Sequence, residues 1–211
     1  MAGLNNPKNV YYFFPTNPIG VVYLFHGTGG DAGGFIRGIE MRSFTNAAIA
    51  SGYAIISTEG EEITLNQDID GDGGRRFMTQ PIDTVNNVDY RNIKIITEEF
   101  IRRGWMTANT PRFSIGMSAG SNFSAAVSAI WNFTGVGYCS RAQNTGFDLR
   151  LSPFAFRLAR YDDNPSYNYP VGLNQAMDNI AELQSRGICN DLYENDRQPI
   201  YPERFARVPG I

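Results

Sequence analysis

Three short apolar runs limit what this chain can fold into: Gly20–Phe25 (GVVYLF), residues 53–57 (YAIIS) and Arg112–Met117 (RFSIGM). Near-continuous apolar runs of this length suit strands of a parallel sheet covered on both faces. Helical periodicity fills the gaps. Residues 35–50 carry Phe35, Ile36, Ile39, Phe44, Ala47 and Ala48. Residues 89–103 carry Ile93, Ile96, Phe100 and Ile101, with Asp89 placed to start the helix and Arg102 and Arg103 closing it before Gly104. Residues 121–131 read as a third helix, rich in small side chains. Alternation of strand and helix implies an α/β fold, a mostly parallel sheet with right-handed crossovers and helices on both faces. A fourth strand is expected over 153–159 and a fourth helix over 173–185, stopped by Gly187. The tail from Cys189 shows no clear periodicity, so the C-terminal strand and helix read as incomplete. No internal repeat or linker interrupts the chain, and 1–211 is expected to be one domain.

Charge and composition exclude several classes. The net charge is −3, and no Lys/Arg run makes a basic patch. Nucleic acid and anionic membrane are therefore not expected as partners. No apolar run approaches the roughly 20 residues of a membrane span. The N-terminus lacks a basic start followed by an apolar stretch, so the chain is expected to be cytoplasmic, or exported with its leader removed. Two cysteines, Cys139 and Cys189, with one histidine cannot build a zinc site; they read as buried thiols, or as a disulfide in an exported protein.

The third run leads into Gly116-Met117-Ser118-Ala119-Gly120, a G-x-S-x-G between an apolar strand and a helix. A nucleophile elbow needs this context: the serine occupies a strained turn, and the flanking glycines let strand and helix approach. The first run ends in His26-Gly27-Thr28-Gly29-Gly30. A loop there can aim a second backbone N–H at an oxyanion, beside the N–H of Ala119 after the serine. Thr28 is the first candidate for that donor and Gly29 the second. Asp31 reads as the cap of the following helix.

With these motifs in this order, the chain resembles the α/β-hydrolases of the compact esterase type, similar to polyester depolymerases and dienelactone hydrolases. The resemblance rests on LFHGTGG, GYAIISTEG, the Asp89 helix, GMSAG and RLARYDDN, from about Val21 to Gly187. It implies a serine esterase needing no metal or organic cofactor and acting on a small or polymeric carboxylic ester. It implies an acid after the fourth strand: Asp162, with Asp163 second. Asp148 is a further candidate by chain order, although no strand closely precedes it. It also implies a catalytic histidine after the acid, and none follows Asp163. The one histidine, His26, occupies a position where the family uses histidine, with Gly27, to hold the oxyanion loop. The expectation is a hydrolase truncated before its histidine, weak or inactive. The alternatives are an inactive binding protein on the same fold and a non-histidine base.

Other groups have plainer readings. Asp68, Asp70, Asp72 and Gly73 begin like a calcium loop, but the twelfth position is Thr79 rather than glutamate, so a solvated acidic turn is expected. Glu59, Glu61 and Glu62 read as a solvated loop that could line the cleft. Trp105 and Trp131 read as packing residues.

Overall fold

The structure, a computed structural model, describes residues 4–131, 133–138, 152–162 and 168–197, with residues 135–138 described by backbone alone. Among the described residues, seven strands form one sheet: β1 (Val10–Phe13), β2 (Gly20–Phe25), β3 (Tyr53–Thr58), β4 (Arg112–Met117), β5 (Thr134–Tyr138), β6 (Phe154–Ala159) and β7 (Asn190–Asn195). Their spatial order is β1-β3-β2-β4-β5-β6-β7. Only β1 is antiparallel to its neighbour. From β2 the chain moves to β3 on one side and then to β4 on the other. The strand order therefore reverses between β2 and β4, and open α/β sheets form their ligand sites at the carboxyl ends of strands at such a point.

The fully buried β2 explains its unbroken apolar run: its alternate residues supply two different cores. Val21, Tyr23 and Phe25 pack with Ile56 of β3 and with Tyr90, Ile93, Ile96 and Phe100. These last four lie on α4 (Val88–Arg102), and Phe123 of α5 (Ala119–Trp131) joins them. Val22 and Leu24 pack with Ile55, Ile115 and Met41, against α1 (Ala32–Arg37) and α2 (Ile39–Ala50). A third cluster joins Phe154, Phe156 and Leu158 of β6 to Ala176, Ile180 and Leu183 of α6 (Tyr169–Ser185). Helices thus cover both faces, as the sequence implies.

Small side chains let α5 lie close to β4. The buried Ser114 hydroxyl lies 2.7 Å from that of Ser124 and 2.9 Å from that of Ser128. A polar seam is tolerated there because each hydroxyl has a partner.

Several expected boundaries change. The helix expected over 35–50 is two helices, broken at Gly38, whose ψ of 140° leaves the helical range. The cap of α4 is Asn87, whose side chain accepts from the N–H groups of Asp89 and Tyr90. Asp89 is instead a buried first-turn residue. The first part of the tail, which lacks obvious periodicity, forms β7, paired in parallel with β6. Its residues alternate between half-buried and exposed, as an edge strand with one covered face should. A further short helix, α3 (Glu61–Leu65), follows β3.

Candidate active site

Ser118 sits between β4 and α5 with φ of 54°, in the left-handed region that a non-glycine residue enters only when its surroundings hold it there. It is exposed. The surroundings are the two glycines of the motif. A Cβ at Gly116 would lie 1.9 Å from the Gly120 carbonyl oxygen, and one at Gly120 would lie 2.4 Å from that of Phe25. Without side chains at either position, the end of β4, the start of α5 and the end of β2 meet. Ser121 closes the turn: its N–H donates to the Ser118 carbonyl at 2.9 Å and its hydroxyl to the Gly116 carbonyl at 2.8 Å. Ala119 opens α5, where first-turn N–H groups lack intrahelical acceptors.

The loop after β2 lies against this turn. A Cβ at Gly27 would come within 3.0 Å of the Ser118 Cβ and 3.1 Å of the Met117 carbonyl. The Gly29 N–H donates to the Arg75 carbonyl at 2.8 Å. That bond removes Gly29 from the candidate oxyanion donors, because an N–H held by a carbonyl is not available to a substrate. Asp31 does cap α1, accepting from the Gly34 N–H at 2.7 Å.

His26 is buried, and both ring nitrogens are engaged. Nε2 accepts the Gly60 N–H at 3.2 Å, so the proton sits on Nδ1, which donates to the Gly27 carbonyl at 2.7 Å. The ring lies against Phe77, with centroids 4.6 Å apart. Burial pushes its pKa down, against smaller upward effects of the Gly27 bond and the Glu59 and Asp31 charges. This is a neutral imidazole with no free nitrogen. It pins the carbonyl of Gly27 and joins the loop to the end of β3.

Glu59, Glu61 and Glu62 are buried rather than solvated. Glu62 accepts from the N–H groups of Ile69, Asp70 and Arg76, fixing the loop whose Arg75 carbonyl holds Gly29. Glu61 forms a buried ion pair with Lys8 at 2.7 Å and accepts bonds from Asn5, Asn6 and Asn92. Burial alone would raise its pKa; the bonds from Asn5, Lys8 and Asn6 more than offset this and lower it. Asp89, fully buried, accepts from the N–H groups of Glu61 and Met78, both at 2.8 Å. Burial drives its pKa up to about 7, against the charge of Lys8 and those two bonds. Asp89 and Glu62 thus tie the segment after β3 to the loop that carries Arg75.

In the acidic loop, carboxylate oxygens of Glu62, Asp68 and Asp70 lie within 4.8 Å of one another. Burial raises the Asp70 pKa, and the Asp72, Glu62 and Asp68 charges add to this against the Asp72 N–H bond. These are oxygen ligands of the kind hard cations use. Asp68 already accepts the N–H groups of Gly71 and Gly73, and Asp70 that of Asp72.

Asp162 follows β6, two strands beyond β4 and at the same carboxyl edge as Ser118. Its N–H donates to the Ala159 carbonyl at 3.1 Å and its carbonyl accepts the Tyr169 N–H at 3.0 Å. Asp163, Asp148 and Cys139 lie outside the described residues; Cys189 is exposed. Trp105 stacks on Phe100 and Trp131 meets Tyr90 edge-on, both as packing residues.

A cleft of about 450 Å³ opens beside the elbow, lined by Gly27, Thr28, Phe35, Ile39, Met41 and Met117 among others.

Solved structures share this fold. A Bacillus cereus carboxylesterase is similar over 96% of this chain and 92% of its own, with a TM-score of 0.62 at 15% identity. The chain has the α/β-hydrolase fold. A dienelactone hydrolase from Anabaena variabilis matches over 99% of this chain and 87% of its own, with a TM-score of 0.64 at 15% identity. An acetyl xylan esterase from Aspergillus awamori covers 86% of this chain and 76% of its own, with a TM-score of 0.58 at 13% identity. The sequence matches no protein-family model and no curated protein. On the α/β-hydrolase fold described here, no helix among the described residues is long and apolar enough to cross a membrane.

Proposed function

We propose that this chain is an esterase-type serine hydrolase whose nucleophile is Ser118. The observation that carries the reading is the exposed serine at φ of 54°, held where strand order reverses by two glycines that admit no side chain. Backbone strain of this kind persists where a site requires it. Ser118 attacks the ester carbonyl. The N–H groups of Ala119 and Thr28 stabilise the resulting oxyanion. Asp162, or Asp163, is the acid that would orient a histidine. The substrate is a carboxylic ester, small or polymeric, and the chemistry needs no metal or cofactor.

The chain holds one histidine, and its ring is committed to Gly27 and Gly60. Ser118 therefore has no imidazole within this chain to take its proton, and turnover is weak. Removing the base of a serine triad costs on the order of a millionfold in turnover, while an oxyanion hole and binding retain roughly a thousandfold over water. The same observation favours a second reading, a non-catalytic binding protein on the same fold. Hydrolysis of p-nitrophenyl esters by wild type and Ser118→Ala separates them. Slow turnover lost in the variant supports the serine reading. Equal rates refute it, and turnover at ordinary esterase rates refutes the missing base.

A further inference from the structure

Resting on the reading of Ser118 as nucleophile and Thr28 as an oxyanion donor, we propose that Glu62 is a positioning residue. It holds the Thr28 N–H in place through one peptide group, the one joining Arg75 to Arg76. The carbonyl and the N–H of a planar trans peptide point in opposite directions. Here both ends are held. The Arg76 N–H donates to Glu62 Oε2 at 2.8 Å, and the Arg75 carbonyl accepts the Gly29 N–H at 2.8 Å. A carboxylate bonded to the N–H end polarises the peptide, and its carbonyl becomes a stronger acceptor for Gly29.

The Gly29 N–H belongs to the peptide that follows Thr28. The peptide before Thr28 is held by its Gly27 carbonyl, which accepts from His26 Nδ1 at 2.7 Å and from the Gly30 N–H at 3.1 Å. Thr28 thus stands between two clamped peptides, and among the described residues its own N–H has no hydrogen-bond partner. The stretch that Glu62 fixes also touches Thr28 directly: a Cβ at Gly74 would lie 2.8 Å from Thr28 Cγ2.

The number of donors explains why this residue is a glutamate. Glu62 is fully buried, and its Oε1 accepts the Ile69 and Asp70 N–H groups at 2.8 and 3.2 Å while Oε2 takes that of Arg76. Both oxygens are used. Carboxylate oxygens of Asp68 and Asp70 lie within 4.8 Å, and the three N–H bonds oppose their repulsion. Glutamine has one oxygen and one NH2. Its oxygen can serve the pair at 69 and 70, but its NH2 then faces the Arg76 N–H, donor against donor.

The test joins amide hydrogen exchange at Gly29, read by NMR, to the rate at which an uncharged alkyl fluorophosphonate labels Ser118. Three variants are compared with wild type. In Glu62→Gln the Gly29 amide should exchange faster by on the order of tenfold. Labelling should slow in kinact by on the order of tenfold, less than the hundredfold or more that losing an oxyanion donor outright costs, with KI unchanged. Glu61→Gln is the control for a merely structural effect. Its carboxylate serves Lys8, Asn5, Asn6 and Asn92 rather than the loop, so it should lower stability and leave both readouts as in wild type. Gly74→Ala pushes on Thr28 from the same stretch without touching Glu62, and it should lower kinact whether or not Glu62→Gln folds. Unchanged Gly29 exchange in folded Glu62→Gln, wild-type kinact in every folded loop variant, or an equal loss in Glu61→Gln would overturn the proposal alone. Absence of any Ser118 adduct in wild type would overturn the serine reading and the positioning role with it.

Discussion

Replacing Ser118 by glycine should make the protein more stable than replacing it by alanine. Both substitutions remove the hydroxyl from an exposed position, so packing changes little. They differ in backbone freedom. At φ of 54° an alanine bears the left-handed penalty of about 1–2 kcal/mol that glycine avoids. Glycine's larger freedom in the unfolded chain takes back about 0.5–1 kcal/mol. The net gain of Ser118→Gly over Ser118→Ala is then about 0.5–1 kcal/mol. For a domain of this size that is a rise of about 1–4 °C in Tm. Urea titration and calorimetry of the pair give the difference directly. A glycine variant no more stable than the alanine variant would mean that the elbow is not strained, and the main geometric support for a nucleophile at Ser118 would fall.

Three further outcomes follow from the buried groups. His26→Phe should keep the ring contact with Phe77 but orphan the Gly60 N–H, costing about 1–3 kcal/mol in urea unfolding. Because burial lowers the folded His26 pKa, its contribution is present above the unfolded value near 6.5 and is lost as pH falls below it; the variant should lack that decline. Asp89 works in the opposite direction. Its folded pKa of about 7 exceeds the unfolded value, so its contribution falls as pH rises from about 4 to about 7, and the stability difference between wild type and Asp89→Asn should shrink over that window. Lys8→Met should cost about 3 kcal/mol by leaving Glu61 buried without its cation; a loss under about 0.5 kcal/mol would show that the amides of Asn5, Asn6 and Asn92 suffice.

What could be read from sequence was local. The strand β2 announces itself because both its faces are buried, and the elbow because Gly-x-Ser-x-Gly joins an apolar strand to a small-residue helix. The break at Gly38 and the cap at Asn87 were hidden because the flanking periodicity runs through both. Glu61 and Glu62 read as solvated because carboxylates usually are; their burial depends on Lys8, 53 residues away, and on N–H groups of a loop whose path no local pattern specifies. The commitment of the Gly29 N–H to Arg75 is likewise a long-range fact. The strand β7 was missed because its exposed face carries Asp191 and Tyr193 instead of an apolar run.

Peptide mapping by mass spectrometry after prolonged exposure to an uncharged fluorophosphonate tests the central claim most directly. The account predicts one slow adduct, on Ser118, absent from Ser118→Ala and accelerated when free imidazole supplies the missing base. An unlabelled Ser118, or an adduct on another residue that forms equally well in Ser118→Ala, would contradict it.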